Sequence, residues 1–128
     1  MLKYIVVALS LAFTGPALSH SDSKFTKGPN GGHIVDAGGG KQHWELVAKG
    51  GELTLFITDK DEKPIVVDGG AEAQVLIAGK NYTVALAPAG GNMLKGVGQF
   101  AATKGMRVIV KTNKVGGESF QARLTPLQ

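Results

Sequence analysis

The chain contains no cysteine. That absence excludes disulfides, a thiolate nucleophile and an anchor on a lipidated cysteine, so the fold rests on burial and hydrogen bonding alone. Long apolar runs are missing as well. The one candidate, Ile5 to Phe13, is about nine residues, whereas a membrane-spanning helix needs roughly 20. No basic block exceeds one residue, and the lysines alternate with Asp59, Asp61, Glu62, Asp68 and Glu72. Nucleic-acid binders cluster their positive charge on one face or run, so no nucleic-acid partner is expected. Catalytic signatures are absent too: there is no Gly-x-Ser-x-Gly elbow and no Walker-type loop. Gly38-Gly39-Gly40-Lys41 has a phosphate-loop flavour but lacks the Ser/Thr and helix start that such a cradle requires. The expectation is a protein that is not an enzyme.

What is present begins with an export pattern. Lys3, the short apolar run, the Gly15-Pro16 break and the small residues Ala17 and Ser19 compose a secretory signal peptide over residues 1–19. The predicted cut precedes His20; a competing cut follows Ser21. The expected location is the periplasm, with no membrane span in the mature chain. Removing residues 1–19 from 128 leaves 109, enough for one domain, and losing Lys3 lowers the formal charge from +4 to +3.

Glycine is abundant, at 19 residues, and falls in clusters between apolar runs: Gly31-Gly32, Gly38-Gly39-Gly40, Gly50-Gly51, Gly69-Gly70, Gly90-Gly91 and Gly116-Gly117. Such spacing is that of turns joining short strands. Alternating patterns mark strands at Gln42–Lys49, Glu52–Asp59, Ala71–Ile77, Tyr82–Ala87, Met93–Phe100, Met106–Thr112 and Ser119–Thr125. Shorter ones are expected at Ile34–Val35 and Ile65–Val67. No window carries a 3.6-residue period. The pattern predicts an all-β fold, an Ig-like antiparallel β-sandwich of about 7–9 short strands over residues 32–128. Residues 20–31 read as a flexible lead-in.

The chain has only three histidines, His20, His33 and His43. If the turn Ala37–Gly39 joins Asp36 to Gly40 directly, His33 faces His43, with Cβ atoms about 4.5–5.5 Å apart. Two imidazoles so placed could share a zinc or copper ion, with Glu45 as a third ligand or supporting partner. A one-residue slip would put the histidines on opposite faces. His20, at the predicted mature N-terminus, could chelate copper through its α-amine and imidazole, and Met93 is a soft candidate ligand.

Gly28-Pro29-Asn30-Gly31-Gly32 followed by His43-Trp44-Glu45-Leu46-Val47 resembles the small β-domain near the N-terminus of periplasmic adaptor subunits of heavy-metal efflux pumps. Gly51-Glu52-Leu53-Thr54-Leu55, the Asp59–Pro64 turn and the Ala71–Val75 strand extend the likeness over roughly residues 28–112. The resemblance implies a periplasmic setting and heavy-metal handling, with a divalent ion and a periplasmic efflux-system protein as partners. Asn30 stands where a histidine often follows the Gly-Pro, which removes one ligand. The adaptor's helical hairpin and lipoyl-like parts have no counterpart, so the resemblance implies an accessory rather than an adaptor. Two function classes follow: a periplasmic metal-binding or metal-resistance accessory, and a metal-free protein-interaction module.

Overall fold

The computed structural model describes residues 26–127. The signal segment, residues 1–19, and the candidate ligand His20 lie outside them. Nine strands are formed: β1 (Thr26–Lys27), β2 (His33–Ala37), β3 (Gln42–Lys49), β4 (Glu52–Asp59), β5 (Ala71–Ile77), β6 (Lys80–Pro88), β7 (Met93–Val97), β8 (Arg107–Thr112) and β9 (Gln121–Leu124). All pairings are antiparallel, and among the described residues there is no helix. No helix there is long and apolar enough to cross a membrane.

The strands follow one hydrogen-bonded order, β1-β2-β3-β4-β7-β6-β5-β8-β9. The expected all-β, antiparallel architecture is present, and its nine strands form a curled sheet. β6 makes the join: its residues Lys80 to Leu86 pair with β5, while Ala87 and Pro88 pair with β7. The curl brings the last strand back against β2, where the Thr125 N–H donates to His33 Nδ1 at 2.7 Å.

Alternation decides which side chains enter the concave interior. Trp44, Leu46 and Ala48 of β3 point inward, as do Leu53, Leu55 and Ile57 of β4. Ala73 and Val75, Val84 and Leu86, Val108 and Val110, and Leu124 line the same core from the other strands. Burying each Leu, Ile or Val contributes about 1.5–3 kcal/mol relative to exposure, which is the main force holding the curl. Trp44 keeps its indole N–H satisfied by donating to Gln42 Oε1 at 2.9 Å. Gln42 in turn donates through Nε2 to the Val115 carbonyl at 3.0 Å, tying β3 to the loop after β8.

Two expectations for local structure are corrected. Ile65–Val67 is not a strand: Pro64 makes an isolated bridge to Thr58, and Ile65 and Val67 donate singly to the Ile57 and Gly91 carbonyls. Those bonds reach two different elements, so no ladder propagates. The lead-in ends earlier than expected, because Thr26 and Lys27 form β1 against Ile34 and His33, and the loop that follows is bonded to β3.

The first hairpin has a register different from the one expected. Ala37 pairs with Gln42, Asp36 with His43, Val35 with Trp44, Ile34 with Glu45 and His33 with Leu46. The connection is therefore four residues, Gly38 to Lys41, rather than three. Gly38, Gly39 and Gly40 all have positive φ, 64°, 70° and 97°, a run that only glycine sustains without strain.

Candidate functional site

That register separates the two described histidines. His33 turns toward the core beside Leu46 and is buried; His43 turns to the outer face, opposite Asp36. The shared ion expected between them has no geometry here, since side chains on opposite faces of one sheet cannot meet. His33 has a structural role instead. Its Nδ1 accepts the Thr125 N–H and so links β2 to the residue that follows β9.

Glu45, the third ligand expected, is committed as well. Its carboxylate is buried, and Oε2 accepts the backbone N–H groups of Asn30 and Gly32, each at 2.8 Å. Oε1 accepts Asn30 Nδ2 at 2.9 Å. Charge-assisted bonds of this kind are the strong ones, and a buried carboxylate requires them. They explain the Gly-Pro-Asn-Gly-Gly segment. Gly28 packs so close to the Glu45 carboxyl that a Cβ would collide with it, and a Cβ at Gly32 would run into the Leu46 carbonyl. The Gly28–Gly32 segment is thus a loop wrapped onto a carboxylate. Among the described residues no group of three or more His, Cys, Asp or Glu is placed to hold a metal ion.

The outer face of the first strands carries a groove of about 770 Å³. Its floor is built by cross-strand pairing, because residues directly opposite on adjacent strands share a face. One row runs Thr26, Ile34, Glu45, Phe56, Met93 from β1 to β7, and a second runs Asp36, His43, Thr58 from β2 to β4. Met93, the soft candidate ligand, thus lies beside Phe56, half-buried and away from both histidines. Pro29 and Asn30 of the Glu45-bound loop stand over the groove, together with Glu62 and Asn92 from two other loops. Glu62 occupies the left-handed region at φ 63°. The turn that carries it is organised by Asp59, whose Oδ1 accepts the N–H groups of Asp61 at 2.8 Å and Lys63 at 3.0 Å. The Lys63 amide above all, with the Asp61 amide and the charges of Lys63 and Lys60 adding to it, holds the Asp59 carboxyl below its ordinary range against the opposing effect of desolvation.

His43 Nε2 lies 3.3 Å from Asp36 Oδ1. The row Asp36–His43–Thr58 contains the residue types of a nucleophilic triad, but the Thr58 hydroxyl donates to the His43 backbone carbonyl at 3.5 Å and is not oriented by the imidazole. A triad needs the nucleophile bonded to the base and the base bonded to the acid in one chain. What the arrangement offers is a polar patch beside an apolar one: Ile34 and Phe56, half-buried, next to carboxylates and an imidazole.

Sequence reasoning singled out His43 and Glu45, which the structure does bring to this face. It missed Asp36, Ile34, Phe56 and Glu62. Phe56 carried a legible signal, since it alternates with the inward Leu55 and Ile57. Glu62 carried none, because its position depends on how a charged turn folds back over β4. Comparison with protein-family models, with curated proteins and with solved structures gave no match to this chain.

Proposed function

We propose that this chain is an exported, periplasmic, non-catalytic binding module whose ligand surface is the groove over β2, β3 and β4. The observation that carries the reading is the pre-organised wall. Glu45 fixes the Asn30 and Gly32 amides at one side of an apolar floor, so a ligand would meet a rigid surface and lose little to ordering it. Concave sites with an apolar lining and a few fixed polar groups are the usual form of binding sites, and a volume of about 770 Å³ falls in their range. An Ig-like description of the curled sheet belongs to the same proposal, supported by the slender join of β6 to β7 through Ala87 and Pro88.

A second reading keeps the metal-resistance role with an altered ligand set. His43 beside Asp36 is a surface pair that zinc or copper could engage, with His20 as a further donor. The efflux-system setting implied by the resemblance would then apply.

One experiment separates the readings. Tagged protein recovered from the periplasmic fraction, with its mature N-terminus determined by mass, is used to capture partners with and without chelator, in parallel with the Phe56→Asp variant. The groove reading expects capture that survives chelator and is lost in Phe56→Asp. Capture abolished by chelator and by His43→Ala favours the metal reading. Capture unchanged in Phe56→Asp overturns the groove.

A further inference from the structure

Beside the His43 imidazole and the hydroxyls of Thr26 and Thr58, the groove's acidic and basic side chains are of one sign. Its lining includes three carboxylates, Asp36, Glu45 and Glu62, and neither lysine nor arginine, although the chain as a whole carries a formal charge of +4. Glu45 keeps its charge in place through the three N–H bonds described above. Asp36 has a side chain 69% exposed and engages His43 through one oxygen, leaving the other to a ligand. Glu62 is exposed and forms no ion pair among the described residues.

The two asparagines reinforce this. Asn30 donates its amide N–H to Glu45, and Asn92 donates its own to the Ile57 carbonyl at 3.0 Å. Each side chain therefore keeps its carbonyl oxygen as an acceptor for a ligand N–H, with one further N–H of its own beside it. The excess of carboxylates favours a ligand that brings positive charge, and the asparagine carbonyls favour one that brings N–H donors. Beside these acceptors lie Ile34 and Phe56, which favour an apolar neighbour on the same ligand; an aromatic ring such as that of Phe56 also attracts a cation over its face.

We infer that the groove takes an extended peptide segment in which a lysine or arginine stands next to a large apolar residue. The proposal rests on the groove being the ligand surface, and it adds the chemistry of the partner. The cationic side chain meets Asp36 and Glu62, the apolar one lies on Ile34 and Phe56, and backbone N–H groups find Asn30 and Asn92.

The test uses the full chain and three capped, fluorescently labelled tetrapeptides, Gly-Lys-Phe-Gly, Gly-Lys-Gly-Gly and Gly-Glu-Phe-Gly, followed by anisotropy. The Lys-Phe peptide is expected to bind best, with Lys-Gly about fivefold weaker and Glu-Phe at least about tenfold weaker. Asp36→Asn, a surface change that spares the core, should weaken Lys-Phe by about two- to fivefold, as exposed ion pairs do. Phe56→Ser should weaken it by roughly tenfold. Raising salt from about 0.05 to 0.5 M should reduce binding, since exposed charges are screened over about 10 Å at 0.1 M salt. Equal binding of the Glu-Phe peptide, or Lys-Phe binding indifferent to both substitutions, overturns the cationic chemistry while leaving the groove as a ligand surface. The chain carries its own Lys-Phe pair at Lys24-Phe25, so no binding of any peptide to wild type, but binding to a Lys24→Glu/Phe25→Ser variant, overturns a separate partner in favour of that upstream pair as occupant. No binding of any peptide to either protein overturns the cationic proposal and the groove reading together.

Discussion

Replacing Glu45 by alanine removes the acceptor for three N–H groups at once. The Gly32 bond is buried and the two Asn30 bonds are partly buried, so water can reach only some of what is left. An unsatisfied buried donor costs about 1–3 kcal/mol, and a half-exposed one about 0.5–1 kcal/mol after rehydration. The expected loss is about 3 kcal/mol, a large fraction of the roughly 5–15 kcal/mol that holds a domain folded. For a domain near 100 residues that lowers Tm by roughly 12–24 °C. Trp44, the only tryptophan and fully buried, reports unfolding in urea without any label. Gly28 supplies the control. Gly28→Ala should destabilise the wild type, because the new Cβ meets the Glu45 carboxyl, and should cost much less once Glu45 is alanine. The double-mutant cycle should therefore show coupling of about 1 kcal/mol or more. A Glu45→Ala loss under about 0.5 kcal/mol, or additive effects in the cycle, would refute the account of the loop as wrapped onto a carboxylate.

Three further outcomes are expected. His33→Leu deprives the Thr125 N–H of its acceptor, costing about 1–3 kcal/mol and speeding hydrogen exchange at Thr125 ahead of the strand centres; unchanged exchange there would remove His33 from the sheet closure. Gln42→Leu strands both the Trp44 indole N–H and the Val115 carbonyl, so urea stability should fall by about 2–4 kcal/mol, and stability within 0.5 kcal/mol of wild type would refute the bridge. Because the folded state lowers the Asp59 carboxyl below its ordinary value of 3.8, that group adds stability above this pH and loses it as pH falls through and below it. The urea midpoint of Asp59→Asn should accordingly lie below wild type at pH 6 and converge with it toward pH 2.5, whereas a constant gap would exclude the linkage.

The strands with clean alternation were legible to the residue. Gln42–Lys49, Glu52–Asp59 and Ala71–Ile77 form where the pattern put them, because one buried face demands a period of two. Failure came where glycine removes that information. Gly38-Gly39-Gly40 has no side chain to prefer a three- or a four-residue turn, so register had to be read from the flanking strands. The clue was there: the expected pairing sets Val35 against Lys41 and Trp44 against Gly32, whereas the observed one sets Val35 against Trp44. Matching apolar residue to apolar residue selects the second. The candidate site shared this fate, since the parity of one hairpin sends His33 inward and His43 outward. The role of Glu45 was hidden for another reason. A carboxylate thirteen to fifteen residues from its donors leaves no local trace, and only docking of the loop reveals why so polar a residue sits among Trp44 and Leu46.

The closure at His33 and Thr125 has a mechanical meaning. No backbone ladder joins β2 to β9, so the curled sheet has a seam fastened through the His33 side chain, and the described chain begins in β1 beside β2 and ends just after β9. A load drawn through these two ends would fall on the seam first and peel it one contact at a time, rather than shear several backbone bonds together. Tethering at one end alone would leave it unstressed. Cargo or fusion partners attached at both ends would thus decide, by the tension between them, whether this sheet stays curled.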